Sequence, residues 1–183
     1  STGDIIRMKI CDVNLIKKDV CNQKIVKQIV DEKPNVIVHL AAQTMVDSSI
    51  KDPVFDASEN IMGTLNVLEA ARQCGARVVF ASTAAAYGDV LEDDLPVVES
   101  QELSPQSFYG LTKVGVEKYL ELYHRHYGLD YVICRFANVY GERQGDTGEG
   151  GVISIFAKRI AAGKDITIYG DGTQTSDFVY ANS

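Results

Sequence analysis

Three short apolar runs constrain the fold most: Val36-Ile37-Val38-His39-Leu40, Val78-Val79-Phe80-Ala81 and Tyr131-Val132-Ile133-Cys134. They are rich in β-branched residues and nearly continuous. Such runs read as strands buried on both faces, as in a parallel sheet. Helical patterns separate them. Ile25, Val26, Ile29 and Val30 follow an N-cap at Asn22, and Pro34 stops that helix. Asp52-Pro53 is a helix start with proline at the first turn. Val54, Ile61, Leu65, Leu68 and Ala71 carry its stripe to Cys74, where Gly75 supplies the cap. A third helix runs from Tyr109 to about Tyr127 and closes at Gly128.

Alternation of strands and helices predicts an α/β fold, a doubly wound parallel sheet with right-handed crossovers. Asn14-Leu15-Ile16 reads as a strand before the first helix, and Asp89 to Gln106 as a polar loop. After Cys134 the texture changes. The stretch from Gly141 to Gly151 reads as a loop, and Val152 to Ala162 as an amphipathic helix capped by Gly163. Ile166-Thr167-Ile168-Tyr169 and Phe178-Val179-Tyr180 read as short strands around a Gly170-Asp171-Gly172 turn.

The 183 residues carry a net charge of −7, with scattered basic residues. That balance argues against a nucleic-acid partner. No apolar run is long enough for a membrane helix. Cys11, Cys21, Cys74 and Cys134 form no CxxC pair and no zinc spacing, so no metal is expected. Free thiols suit a reducing compartment, and the expected location is cytoplasmic.

The third helix opens Tyr109-Gly110-Leu111-Thr112-Lys113. Tyrosine and lysine four apart share a helix face. A nearby cation favours phenolate, so the pair suits general acid/base chemistry. Alone this is a weak signal, since about half a YxxxK arises by chance in such a composition. Ser82-Thr83 ends the second apolar run, and ligands of parallel sheets sit off the carboxyl ends of strands. Hydroxyls there reach a substrate oxygen, or cap the next turn.

Together these residues resemble the extended short-chain dehydrogenase/reductase family of nucleotide-sugar epimerases and dehydratases. The resemblance rests on Ser82-Thr83, Tyr87-Gly88 and Tyr109xxxLys113. It continues in His39-Leu40-Ala41-Ala42-Gln43, in Asn60 to Ala71, in Arg135 to Gly141 and in Ile168 to Gly172. It implies a Rossmann-like domain over 1–147 with 178–183, and the start of a substrate domain over 148–177. It also implies NAD as cofactor. Tyr109 would be the acid/base on the sugar 4-hydroxyl. Lys113 would lower the tyrosine's pKa and hold the nicotinamide ribose, and Thr83 would bond the reacting hydroxyl. Asp19 and Val20 would meet the adenine. Leu40, Ala41, Ala42, Gln43, Asn60, Ser82 and Phe136 would line the dinucleotide. Asn138, Val152, Thr167 and Tyr169 would face the sugar nucleotide.

Ala84-Ala85-Ala86 follows Thr83, where dehydratase branches place an acid for elimination. Glu149-Gly150-Gly151-Val152-Ile153 is similar to the UDP-glucose 4-epimerase-like group. The implied function is therefore epimerisation of a UDP-hexose at C4 through a 4-keto intermediate. Other dehydratase or reductase chemistry and a non-catalytic dinucleotide-binding fragment are the alternatives. Ser176 stands where the family usually has a diphosphate-gripping arginine. A homodimer through the helices of 53–74 and 109–127 is also implied. The chain has no glycine-rich phosphate loop. The resemblance therefore implies a preceding βαβ unit of about 35 residues. It also implies a whole protein of about 300 residues. The segment alone is expected to be poorly stable and inactive.

Overall fold

The structure, a computed structural model, describes residues 13–142, 144–145, 151–168, 170–173 and 175–182. These fall into two compact units, Asp19–Ala137 and the described residues of 13–18 with 138–182.

In the first unit the order is α1 (Lys24–Glu32), β1 (Val36–His39), α2 (Val46–Lys51), α3 (Pro53–Ala57), a π-helical turn (Ser58–Met62), α4 (Gly63–Cys74), β2 (Arg77–Thr83), a 3-10 turn (Ala84–Ala86), α5 (Phe108–Tyr127) and β3 (Tyr131–Phe136). The three strands form one parallel sheet in the order β1-β2-β3. Ile37 pairs with Val78, and Val78 with Tyr131. The α/β class and the parallel sheet agree with the sequence reading.

The core gathers where β2 meets α4 and α5. Leu68, Ala71, Val78, Phe80, Val116, Leu120 and Leu129 form one buried cluster. Successive side chains of a strand alternate in direction. Val78, Phe80 and Ser82 are thus the buried residues of β2, with Ser82 at its carboxyl end. The capping signals hold in the fold. Asp52 Oδ1 accepts from the Phe55 amide 2.9 Å away, Pro53 opens α3, and Gly75 and Gly128 close α4 and α5 at positive φ.

Several sequence expectations are corrected. Residues 14–16 make no strand, and Leu15 and Ile16 are exposed. A strand needs a ladder partner, and among the described residues nothing pairs there. Residues 166–168 are irregular for the same reason, and Tyr169 lies outside the described residues. Strand β1 is not buried on both faces. Val36 and Val38 are 49% and 60% exposed, and through the register they share a sheet face with the 43% exposed Val132, the face opposite buried Val78 and Phe80. Val54 is exposed and leaves the predicted stripe. The π-helical turn shifts the helical phase between it and Ile61. Gln23, not Asn22, is the cap position of α1, although Asn22 Oδ1 accepts from the Lys24 amide at 3.0 Å.

The second unit pairs β4 (Asn138–Tyr140) with β5 (Phe178–Tyr180) in parallel and adds α6 (Val152–Ala161). Strand β5 agrees with the apolar run at 178–180, whereas β4 opens on the polar Asn138 and forms no apolar run to be read. Among the described residues, no helix is long and apolar enough to cross a membrane.

Candidate active site

The carboxyl end of β2 delivers Ser82 and Thr83, and the first turn of α5 delivers Tyr109 and Lys113. Two local devices bring them together. Ser107 Oγ accepts from the Gly110 amide at 3.1 Å and fixes where α5 begins, one residue earlier than the sequence pattern suggests. Gly110 then lets the helix start approach the 3-10 turn. A Cβ there would lie 2.8 Å from the Ala85 carbonyl oxygen, so a side chain would push α5 away.

The Thr83 side chain lies near enough to the Tyr109 phenol to act on its pKa. Thr83 Oγ1 accepts from the Ala85 amide at 3.1 Å, which is the turn-capping arrangement. The net effect on the phenol is upward. Burial raises its pKa most, the Thr83 side chain lowers it, and the negative charge of Asp56 raises it. The expected depression by Lys113 is not the dominant effect in this arrangement. The Lys113 ammonium points to the Ala81 carbonyl oxygen at 2.9 Å and sits 4.9 Å from the Phe80 ring centre, against 5.8 Å from that of Tyr109. Lys113 is 4% exposed, and burial lowers its own pKa to about 8, opposed by Asp56.

Behind the strand end lies a buried ionic cluster that the sequence pattern does not reveal. Ser82 Oγ donates to Glu117 Oε1 at 2.5 Å. The Arg135 guanidinium donates to the same carboxylate through Nε and, at 2.7 Å, through Nη2. Its Nη1 reaches the Tyr87 hydroxyl and the Glu99 carbonyl oxygen, both at 3.0 Å. The only hint in sequence is that Glu117 sits on the same helix face as Lys113, four residues on.

The segment after β1 is held by Asn60. Gln43 donates its amide to Asn60 Oδ1 at 2.8 Å, and Asn60 Nδ2 returns a bond to the Gln43 carbonyl at 3.1 Å. Leu40 and Ala41 are exposed beside this clamp, with Ala42 half-buried. His39 Nε2 pairs with Thr64 Oγ1 at 2.9 Å, and burial with the Lys113 charge lowers its pKa to about 4. Phe136, at the end of β3, is exposed.

Asp19 and Val20 sit against the N-terminal part of α4. The Val20 carbonyl accepts from Asn66 Nδ2 at 2.8 Å. Asp19, Cys21 and Glu59 bring donor atoms within 4.8 Å of one another. The Cys21 thiol donates to Glu59 at 3.3 Å and is pushed up to about 12 by burial and Glu59, so it is a protonated donor. Thiolate is the metal-binding form.

In the second unit, Val152, Phe156, Arg159, Thr167, Ser176 and Phe178 line a cleft of about 700 Å³. Asn138 does not line this cleft, and its Nδ2 is bonded to the Asp177 carbonyl at 3.2 Å.

The site fits a dinucleotide at its ribose end. Lys113 Nζ donates to the Ala81 carbonyl, and an ammonium has two further N–H donors to offer sugar hydroxyls. Exposed Leu40 and Ala41 present apolar surface beside the sheet's carboxyl edge.

The sequence profile of the NAD dependent epimerase/dehydratase family matches residues 4–182. A putative UDP-glucose 4-epimerase of Methanocaldococcus jannaschii is 44% identical over 171 residues, covering 90% of this chain and 55% of that protein. The UDP-glucose 4-epimerase of Thermotoga maritima, solved with UDP-glucose, superposes with a TM-score of 0.93 at 36% identity, covering 100% of this chain and 59% of that one. The Thermus thermophilus UDP-glucose 4-epimerase, solved with NAD, superposes at 0.87 and 40% identity, covering 92% and 57%. The chain thus spans somewhat over half the length of these relatives.

Proposed function

From the chain's membership in the NAD dependent epimerase/dehydratase family, which the profile match over residues 4–182 establishes, we propose that the intact protein epimerises a UDP-hexose at C4. The observation that carries this reading is the convergence of Thr83, Tyr109 and Lys113 at the end of β2. Tyr109 removes the proton from the sugar 4-hydroxyl and returns it after the 4-keto sugar has turned over in the site. Thr83 holds that hydroxyl. Lys113 grips the cofactor ribose. When bound, NAD supplies the acceptor for the C4 hydride and gives it back. Leu40, Ala41, Ala42 and Phe136 line the dinucleotide, and Asn60 holds the Gln43 segment. Ser82 supports the strand end through Glu117. Asp19 and Val20 lie toward the adenine. Val152, Thr167, Tyr169 and Asn138 are assigned to the sugar nucleotide. Residues 1–147 with 178–183 are assigned to the dinucleotide domain, and 148–177 to the start of the substrate domain.

The three residues after Thr83 favour epimerisation over dehydration. Elimination needs a further acid, and Ala84, Ala85 and Ala86 supply none. Asp89 is exposed beyond the turn. A homodimer is proposed through the helical stretch of 53–74 and α5, since α5 exposes Leu111, Tyr119 and Leu122 along one face. Light scattering on the intact protein tests it, and a monomer contradicts it.

The functional test incubates the intact protein with UDP-glucose and NAD. UDP-galactose is the expected product. Accumulation of a keto or deoxy sugar without UDP-galactose overturns the epimerase reading in favour of dehydration.

A further inference from the structure

One carboxylate, Asp56, lies where three segments of the candidate site meet. It is fully buried, on α3. Its Oδ1 accepts from Gln43 Nε2 at 2.7 Å and from Asn60 Nδ2 at 3.1 Å. Its Oδ2 lies 2.9 Å from Thr112 Oγ1, which is equally near the Tyr109 carbonyl oxygen. Gln43 belongs to the segment that follows β1, Asn60 to the π-helical turn, and Thr112 to the turn of α5 that carries Tyr109 and Lys113. No ion pair to Asp56 occurs among the described residues, in contrast to Glu117, which has Arg135. A buried carboxylate without a cation is costly, and neutral donors offset that cost only while all of them hold their places.

We propose that Asp56 is a positioning residue of the dinucleotide site, its carboxylate locking the Gln43 segment to the helix that presents Tyr109 and Lys113. This rests on the functional reading above. The geometry has an electrostatic companion. The charged and titratable groups that bear on the Tyr109–Lys113 pair are Asp56 from α3 and His39 from β1, together with the pair itself. The negative charge of Asp56 raises the pKa of both Tyr109 and Lys113. It keeps the buried ammonium of Lys113 protonated near neutral pH, the form that donates to a ribose.

Two variants of the intact protein separate geometry from charge. In Asp56→Asn the amide oxygen still accepts from Gln43 and Asn60. Its NH2 donates to Thr112 Oγ1, whose own proton then goes to the Tyr109 carbonyl. The clamp persists and the charge is lost. Asp56→Ala removes both. The Lys113 titration, followed by ¹⁵N NMR of the side chain, is expected to move down by about half a unit or more in Asp56→Asn, and the pH–rate profile to move the same way. Dinucleotide affinity is expected to fall about tenfold in Asp56→Ala relative to Asp56→Asn, because the hydrogen-bonded clamp is lost. An unmoved Lys113 titration in folded Asp56→Asn overturns the proposal, as does equal affinity in the two variants. Should Asp56→Ala not fold, Thr112→Val, which keeps the volume and takes the α5 hydroxyl from Asp56, replaces it in the affinity comparison, and affinity equal to that of Asp56→Asn overturns the proposal. The Lys113 titration needs no turnover, so a protein that fails to epimerise UDP-hexoses defeats the functional reading and leaves this measurement intact.

Discussion

Lys113 turns its ammonium to the Ala81 carbonyl oxygen, 2.9 Å away, rather than onto the ring of Tyr109 one helical turn earlier. The lysine is therefore tied to the strand end. Its burial lowers its pKa from 10.5 to about 8. The folded state refuses a proton that the unfolded chain accepts between those values. Stability from this group thus rises with pH between about 8 and 10.5, and the full penalty, roughly 3 kcal/mol, stands below 8.

That penalty predicts a trade. Lys113→Met, close in volume and uncharged, is expected to stabilise the fold by about 1–3 kcal/mol at pH 7 while abolishing turnover. Urea unfolding and an epimerase assay on the same preparation check both halves. Lower stability at pH 7 contradicts the burial argument.

His39 predicts the acid limb. Its pKa falls from 6.5 to about 4 because it is buried beside the Lys113 charge. Above 6.5 neither state holds the proton. As pH falls through that window the unfolded chain takes it up first, so stability drops and levels below 4, by roughly 3 kcal/mol. His39→Gln, which keeps a polar partner for Thr64, is expected to flatten urea midpoints between pH 6.5 and 4. An unchanged slope assigns the acid sensitivity elsewhere.

Arg135 predicts a cost at the strand end. Arg135→Leu takes the guanidinium from the Glu117 carboxylate, 2% exposed, and leaves it the neutral Ser82 hydroxyl as donor. Breaking such a pair from one side is expected to cost about 3–5 kcal/mol. Adding Glu117→Gln, whose oxygen still accepts from Ser82, is expected to recover more than half. Thermal unfolding of the single and double variants reads the coupling, and strictly additive losses contradict it.

Legibility in the sequence tracks which forces have short-range signatures. The parallel sheet was readable because β2 is a central strand, and its Val78 and Phe80 pack as their apolar run implies. The strand expected at 14–16 failed because pairing depends on a partner, not on local pattern. Tyr109, Lys113 and Thr83 were legible through spacing on one helix turn and one strand end. Asp56, Thr112, Glu117 and Arg135 were not, since their meaning lies in contacts between residues far apart in the chain, such as Asp56 with Thr112. A lone Asp on a helix reads as a solvated charge until the fold buries it. The direction of the Tyr109 shift was also hidden, because it is set first by burial, which spacing does not reveal.

The proposed C4 epimerisation turns on Tyr109 as its acid/base. Tyr109→Phe in the intact protein removes one oxygen from a half-buried ring and leaves the Ser107 cap and the Gly110 approach in place. UDP-glucose turnover is expected to fall roughly 10²–10⁴-fold, with melting temperature and NAD affinity close to the parent's. Turnover within tenfold of the parent contradicts the account.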